Sequence, residues 1–539
     1  MKRLLPLLAL VLGVTACGFS STARSPGVLE QAIEQNPLTL DPARWSDVAS
    51  GRIVSLVSSP LVRTDESMNV TGDLAERWEV DPSGKVYIFH LNPKAKFTNG
   101  RQVTAGDVRY SLDRVMDPKT RALRTWTLEP VAGASERLAG KAATVTGITA
   151  VDPSTVRIEL KEAFAPFLQM MSMPVAGVVP KESVEALGEK FARSPVGCGP
   201  FKVVSWINDS SVELAANSAY HLGAPKLKGI RFRIIREPLT RSSEFQLGNL
   251  DVIAIPPSER VFYTSNATWG KRILQRAGLN VYYLGLNCEK APTSDVRVRR
   301  AIAMAIDKAA ILQSVRKGQG VEAAGPIPTE LPGHDPAYKG IPYDPEGAKK
   351  LLADAGVGNG FELELAQGDN KDNLEVTQIL ASFLARVGIR VKLATFEWQT
   401  FKSRVNDGLA QAFYLSWWAD YADAENFLYP LFHSSQSGAG GNGPRYKSKK
   451  VDALLDQARR TADFDSRIQL YSDIEKQVTE DASRVFLFHK LDIIVTQPWT
   501  SGIQLYPVFN ANRYLDVAID DKAIGQGDES ASAGAATTQ

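Results

Sequence analysis

Three cysteines and five histidines in 539 residues leave little material for a metal centre or a disulfide scaffold. His90, His221, His334, His433 and His489 stand far apart, and no H-E-x-x-H places two of them on one helix face. A metal site would have to be assembled in three dimensions from one of these or a thiolate, and nothing local argues for it. The sequence also lacks G-x-x-x-x-G-K-[ST], so it does not bind ATP through a P-loop, and it lacks the G-x-S-x-G nucleophile elbow. Residues 438–443 (GAGGNG) match a dinucleotide fingerprint by letter, but they follow a Ser-rich stretch and precede Pro444. Without strand, turn and helix around it, that motif has no phosphate-binding physics and reads as a flexible loop. Nor is there an excess of one charge: 62 Lys and Arg are scattered among 60 Asp and Glu, for a net charge of +2. No basic stripe exists for nucleic acid to follow. Enzymatic function has no local support, and no cofactor and no metal is expected.

What is present describes a globular protein with many turns: 44% hydrophobic and 23% charged residues, 41 Gly and 30 Pro. A chain this long exceeds a single core, which stops growing near ~250–300 residues, so two or three domains are expected. Residues 1–3 are a basic start and 4–14 an apolar run of signal-peptide length, too short to cross a bilayer as a finished helix. The run ends in Val14-Thr15-Ala16-Cys17, which resembles the bacterial lipobox. That resemblance implies cleavage before Cys17 and a lipid anchor on it, followed by a Ser/Gly/Pro tether. Export would send Cys198 and Cys288 into an oxidising compartment, where they form either a disulfide or two separate buried thiols.

The first half of the chain is strand-rich. Residues 78–91 alternate around the turn DPSG at 81–84, the pattern of a hairpin. Thr104 precedes a helix carrying Val108, Leu112 and Val115 on one face, residues 131–160 read as β, and 194–201 form a Gly/Pro turn opening onto a strand. After Asn287 strands alternate with helices: helices near 295–306, 345–355, 376–387 and 401–405, strands at 361–365, 389–393 and 412–417, two further helices at 448–460 and 465–480, and a closing strand at 485–495. Alternation of this kind belongs to an open sheet covered by helices, where ligands settle at strand carboxyl ends. From residue 523 the composition is too poor in large apolar side chains to fold.

One segment stands at such a strand end: residues 413–423, FYLSWWADYAD. Asp420 and Asp423 lie among Trp417, Trp418 and Tyr421, and carboxylates in an aromatic setting need a cationic or hydrogen-bonding partner. The segment reads either as a cation-binding cleft or as a core strand ending in a solvated acidic turn.

Colinear pieces decide between these. Leu40-Asp41-Pro42, residues 74–78 (LAERW), 97–100 (FTNG), 104–108 (TAGDV), 195–201 (PVGCGPF), 295–301 (DVRVRRA), 343–346 (YDPE), 417–423 and 467–471 (RIQLY) together resemble the family 5 extracellular solute-binding proteins of ABC importers, across nearly the whole mature chain. The resemblance implies an α/β, periplasmic-binding-protein type II-like fold, two-lobed with a hinge and an additional inserted domain. Residues 1–16 would be the signal peptide and 17–27 the tether. The first lobe would comprise 28–58, 194–286 and 490–522, with the inserted domain at 59–193, the α/β lobe at 287–489 and a disordered tail at 523–539. In oligopeptide-binding members an aspartate of a W-x-A-D-Y-like segment pairs with the peptide α-ammonium, and Asp420 matches it. Trp417, Trp418, Tyr421 and Asp423 are the accompanying binding candidates. Two departures are Cys198, where the family usually has Thr, and Ala424, where a Pro often follows. The implied function is a monomeric lipid-anchored receptor, in the periplasm or at the cell surface of an organism without an outer membrane. It would capture peptides for a permease whose ATPase subunits are separate chains. The alternatives are a nickel complex, haem or sugar as cargo, or an exported hydrolase.

Overall fold

The computed structural model describes residues 24–369, 371–438 and 441–524. The signal-peptide residues, Cys17, most of the tether and the tail from residue 525 lie outside them, as does part of the GAGGNG loop.

Local signals set the helices. Asp107 accepts the Thr104 N–H at 2.9 Å, and the helix Ala105–Met116 then buries Val108, Leu112 and Val115. Asp344 accepts the Gly347 N–H at 2.9 Å, Pro345 opens the helix Pro345–Asp354, and Gly356 follows its end with φ +79°. Burying each Leu or Val of such a face contributes about 1.5–3 kcal/mol. The strand Ala75–Val80 pairs antiparallel with Val86–Leu91 through the expected turn, where the Gly84 N–H reaches the Asp81 carbonyl at 2.9 Å. Within 131–160 only Ile148–Asp152 and Thr155–Glu159 are strands, because Gly133 at φ +77° turns the chain into the short helix Ala134–Leu138.

Three bodies result. In the first, Val28–Ile33 runs parallel to Gly229–Ile234, which continues antiparallel through Ser211–Ala216 to Phe201–Ile207. The second is a four-stranded antiparallel sheet, with Ala75–Val80 and Ile148–Asp152 at its edges, covered by Ala105–Met116. The third is α/β: Ile389–Phe396, Phe361–Gly368 and Ala412–Trp418 are parallel neighbours, so their carboxyl ends share one edge. Asp41 ties the first two bodies together, its carboxylate meeting both Nη atoms of Arg114 at 2.7 and 2.5 Å.

Two strands carry the chain between the first and third bodies. Arg484–Thr496 pairs with Asn280–Leu286 over its first half and with Ile273–Ala277 over its second, so one strand belongs to both sheets. Asn280–Leu286, assigned to the first lobe by sequence, pairs with Ala412–Trp418 in the α/β body, because the strand runs straight on from Ile273–Ala277 across the junction. At the crossing the Asn280 side chain donates to the Lys490 carbonyl at 3.0 Å and accepts its N–H at 2.7 Å, and the Asn280 carbonyl accepts His489 Nδ1–H at 2.6 Å. A Cβ on Gly278 would lie 2.5 Å from the Asn280 amide nitrogen and 3.0 Å from the Lys490 carbonyl oxygen, so the crossing requires glycine. Strands that pass from one lobe to the other at a tight crossing are the hinge of a two-lobed molecule.

Cys198 and Cys288 are not bonded to each other; both are free. Cys198 is sealed in the core of the four-stranded body beside Ser59 and Val178, whereas Cys288 packs against the core of the α/β body, so no bridge joins them. Burial pushes the Cys198 thiol up to about 12, which keeps it protonated and inert.

Candidate functional site

The strand Ala412–Trp418 ends where its parallel neighbours end, and residues 419–424 loop from it into the helix Glu425–Phe432. Asn426, in the first turn of that helix, fastens the loop. Its side-chain oxygen accepts Trp417 Nε1–H at 3.2 Å and the Asp420 N–H at 3.1 Å. Asp423 accepts the Glu425 N–H at 2.9 Å and lies 3.7 Å from Arg467. Tyr421 is buried with its hydroxyl donating to Glu425, which meets Arg459 at 3.1 Å. Burial and the Glu425 carboxylate push the Tyr421 hydroxyl well above the usual phenol range, so it remains a donor. Tyr421 is buried in the core of the four-stranded body, its ring 6.2 Å from that of Trp126, while Asp423 braces the loop through Glu425 and Arg467.

Asp420 meets the same body through a charge. Its Oδ1 accepts a hydrogen bond from Arg124 Nη1 at 2.8 Å, and Arg124 enters from the four-stranded body just ahead of the turn Thr125–Thr127. The Arg124 Nη2 donates to the Ser46 carbonyl at 3.2 Å, and its Cζ lies 4.2 Å from the centre of the Trp45 ring. Trp45 is buried, its Nε1 donating to the Asp47 carbonyl at 2.6 Å, and it rests on Gly51 and Phe509. Three bodies therefore meet at Asp420. Burial raises its carboxyl above the ordinary aspartate value, and Arg124 draws it part of the way back.

The cationic partner that sequence reasoning requires for Asp420 is met within the chain by Arg124. Neither Arg124 nor Trp45 carries a local motif, and Arg124 lies 296 residues from Asp420, so no signal within reach of sequence spacing could have joined them. Of the aromatic candidates, Trp417 is half-buried and tied to Asn426, while Trp418 is 44% exposed and edge-on to Tyr282 at 6.4 Å. Tyr282 in turn stacks on Phe488 at 4.8 Å, which sets Trp418 over the strand crossing. Among the described residues, no three His, Cys, Asp or Glu gather where they could hold a metal ion.

A hinge of crossing strands, with a carboxylate presented at the strand ends of one lobe toward the other, defines a two-lobed solute-binding protein. The family model of bacterial extracellular solute-binding proteins, family 5 (middle), matches residues 69–439, and the chain belongs to that family. It is 29% identical over 556 residues to heme-binding protein A of Haemophilus influenzae, covering 97% of this chain and 100% of the relative. It is 30% identical over 436 residues to the dipeptide-binding protein of Escherichia coli strain K12, covering 77% and 80%. Among solved structures, the ABC transporter-associated periplasmic binding protein DppA of Helicobacter pylori, in complex with the peptide STSA, superposes with a TM-score of 0.79 at 27% identity, covering 92% of this chain and 98% of that one. The family consists of extracytoplasmic solute-binding proteins of ABC importers, not of enzymes. Among the described residues no helix is long and apolar enough to cross a membrane.

Proposed function

We propose that this chain captures peptides bearing a free amine between its lobes and delivers them to a membrane permease with separate ATPase subunits, held near that permease by a lipid on Cys17. The observation that carries this reading is Asp420 itself, a carboxylate at the carboxyl end of a parallel strand, facing the other two bodies and matched there with a cation. A charge-assisted contact to a ligand ammonium at that point would be strong and would reject cargo without an amine. Backbone pairing along an extended peptide would add affinity that ignores side chains. The dipeptide-binding relative and the structural neighbour in complex with a peptide agree with it. A second reading, haem as cargo, draws on the heme-binding relative.

Native mass spectrometry of the purified protein, before and after mild unfolding releases co-purified ligand, tests this. A ladder of peptide masses that disappears in Asp420→Ala is expected. One discrete non-peptide mass, with haem absorbance or without it, would keep the fold and discard the cargo.

A further inference from the structure

The first body carries an apolar patch that its own fold leaves uncovered. On the helix Pro238–Gln246 Leu239 is exposed, and Leu247 at the helix end is 73% exposed. Eight residues, about two turns, separate them, which sets both on one side of the helix. On the next helix, Arg260–Ser265, Val261 is 75% exposed and Phe262 is exposed beside it. The two helices share one surface, because the Trp269 ring lies 5.4 Å from Phe245 of the first and 6.0 Å from Phe262 of the second. Large apolar side chains exposed singly are ordinary, but four within residues 239–262 mark a surface that meets another.

Next to this patch lies a groove of about 910 Å³. Trp269 Nε1 donates to the Gln497 side chain at 3.3 Å, and Arg272 Nη1 donates to the Gln497 and Thr500 carbonyls at 3.3 and 3.4 Å, so the groove is tied to the aromatic cluster. Its lining has both signs of charge, Lys271 and Arg272 with Asp520, together with the hydroxyls of Thr496, Thr500 and Ser501. Thr500 is only 4% exposed, and its Oγ1 is buried with no hydrogen-bond partner among the described residues. A buried hydroxyl left without a partner is costly, and a ligand in the groove would supply one.

The tether enters at the same place. Arg24 Nη1 donates to the Gly248 carbonyl at 3.2 Å, beside Leu247, and its guanidinium pairs with Asp251 and lies 5.7 Å from the centre of the Trp499 ring, which lines the groove. Arg24 stands seven residues after Cys17, so an extended chain holds the two no more than about 25 Å apart. A lipid on Cys17 keeps this face within that distance of a bilayer. Exposed aliphatic and aromatic side chains beside cations suit the boundary between headgroups and acyl chains. In the groove a phosphodiester would meet Lys271 and Arg272 and a primary ammonium would meet Asp520. Phosphoethanolamine bears both groups.

We infer that residues 239–247 and 260–272 form a docking face for the bilayer surface, with the groove beside them receiving the phosphoethanolamine headgroup of a phospholipid. The inference deepens the reading of Cys17 as a lipid anchor and rests on it for the nearness of the bilayer.

Hydrogen exchange of the full processed chain tests it, measured in solution, on protein-free vesicles of phosphatidylethanolamine with phosphatidylcholine, and on vesicles of phosphatidylcholine alone. Residues 239–247 and 260–272 should exchange about five-fold slower or more on the first vesicles than on the second. Val261→Asp and Lys271→Glu should each remove that protection, and Val151→Ser, at an exposed position on the edge of the four-stranded body, should retain it. Absence of protection on both vesicles, or protection that rises with protein concentration and not with lipid, overturns the docking face. Equal protection on the two vesicles overturns the headgroup groove. The intact mass of the chain judges the anchor separately: a lipidated Cys17 without protection keeps the anchor and discards the face, and an unlipidated chain protected on phosphatidylethanolamine does the reverse. If either variant does not fold, the comparison of the two lipids on the unaltered chain decides alone.

Discussion

At the scale of the residue, Asp420 is a group whose charge is conditional. Burial raises its carboxyl and Arg124 only partly reverses this, so it takes up a proton at a higher pH than an exposed aspartate near ~3.9. An amine-bearing ligand should therefore bind more weakly as pH falls, with the loss beginning above the range where exposed aspartates titrate. Asp420→Asn should lose roughly 2 kcal/mol or more of binding at neutral pH, because a buried charge partner is removed, and should show a flatter profile. Titrations between about pH 7 and about pH 4.5 measure both effects. If the Asn variant kept the parent's slope, some other group would be governing the pH dependence. The loop holding this aspartate was legible because carboxylates and aromatics are adjacent in sequence. Its counter-charge was not, because Arg124 meets Asp420 only through the packing of three bodies.

At the scale of the element, capped helices and the hairpin follow their local signals, since Asp344, Ser448 and the DPSG turn act within four residues of themselves. The strand Arg484–Thr496 shows the opposite limit: its length is visible in sequence, but its double membership rests on partners some two hundred residues away. His489 sits at its midpoint. Burial pushes that imidazole down to about 4, and although Nδ1 donates to the Asn280 carbonyl, Nε2 has no partner among the described residues. A neutral histidine is thus required by the fold. The stability this contributes is complete above the unfolded value of about 6.5 and is lost as pH falls toward the folded value, by roughly 3 kcal/mol across the window. Urea unfolding of His489→Gln should show a shallower decline over that window than the parent. An unchanged decline would place the acid-sensitive group elsewhere.

At the scale of the whole molecule, a buried cluster ties the C-terminal segment to residues far from it in sequence. Asp73 receives Arg513 Nη2 at 2.6 Å, lies 3.0 Å from His221 Nε2, and accepts the Tyr220 hydroxyl at 3.1 Å. Burial alone would raise the Asp73 carboxyl, but Arg513 and His221 outweigh it and hold it at about 2. Its contribution to stability is therefore full above the unfolded value near ~3.9 and disappears as pH falls through about 2. Asp73→Asn leaves Arg513 buried without its counter-charge and should cost about 3–5 kcal/mol. Denaturant midpoints at neutral pH report the difference, and a cost below about 1 kcal/mol would mean that solvent reaches the cluster.

The strand crossing at Gly278, Asn280 and Lys490 makes the hinge largely a matter of main chain. Carbonyls and N–H groups, one amide side chain, one imidazole and one glycine hold it, and none of them is among the groups that meet at Asp420. On the proposed reading of the cleft, movement and taste are consequently written in separate places. A lineage could exchange one cargo for another by editing the walls around Asp420 and inherit the closing motion unedited.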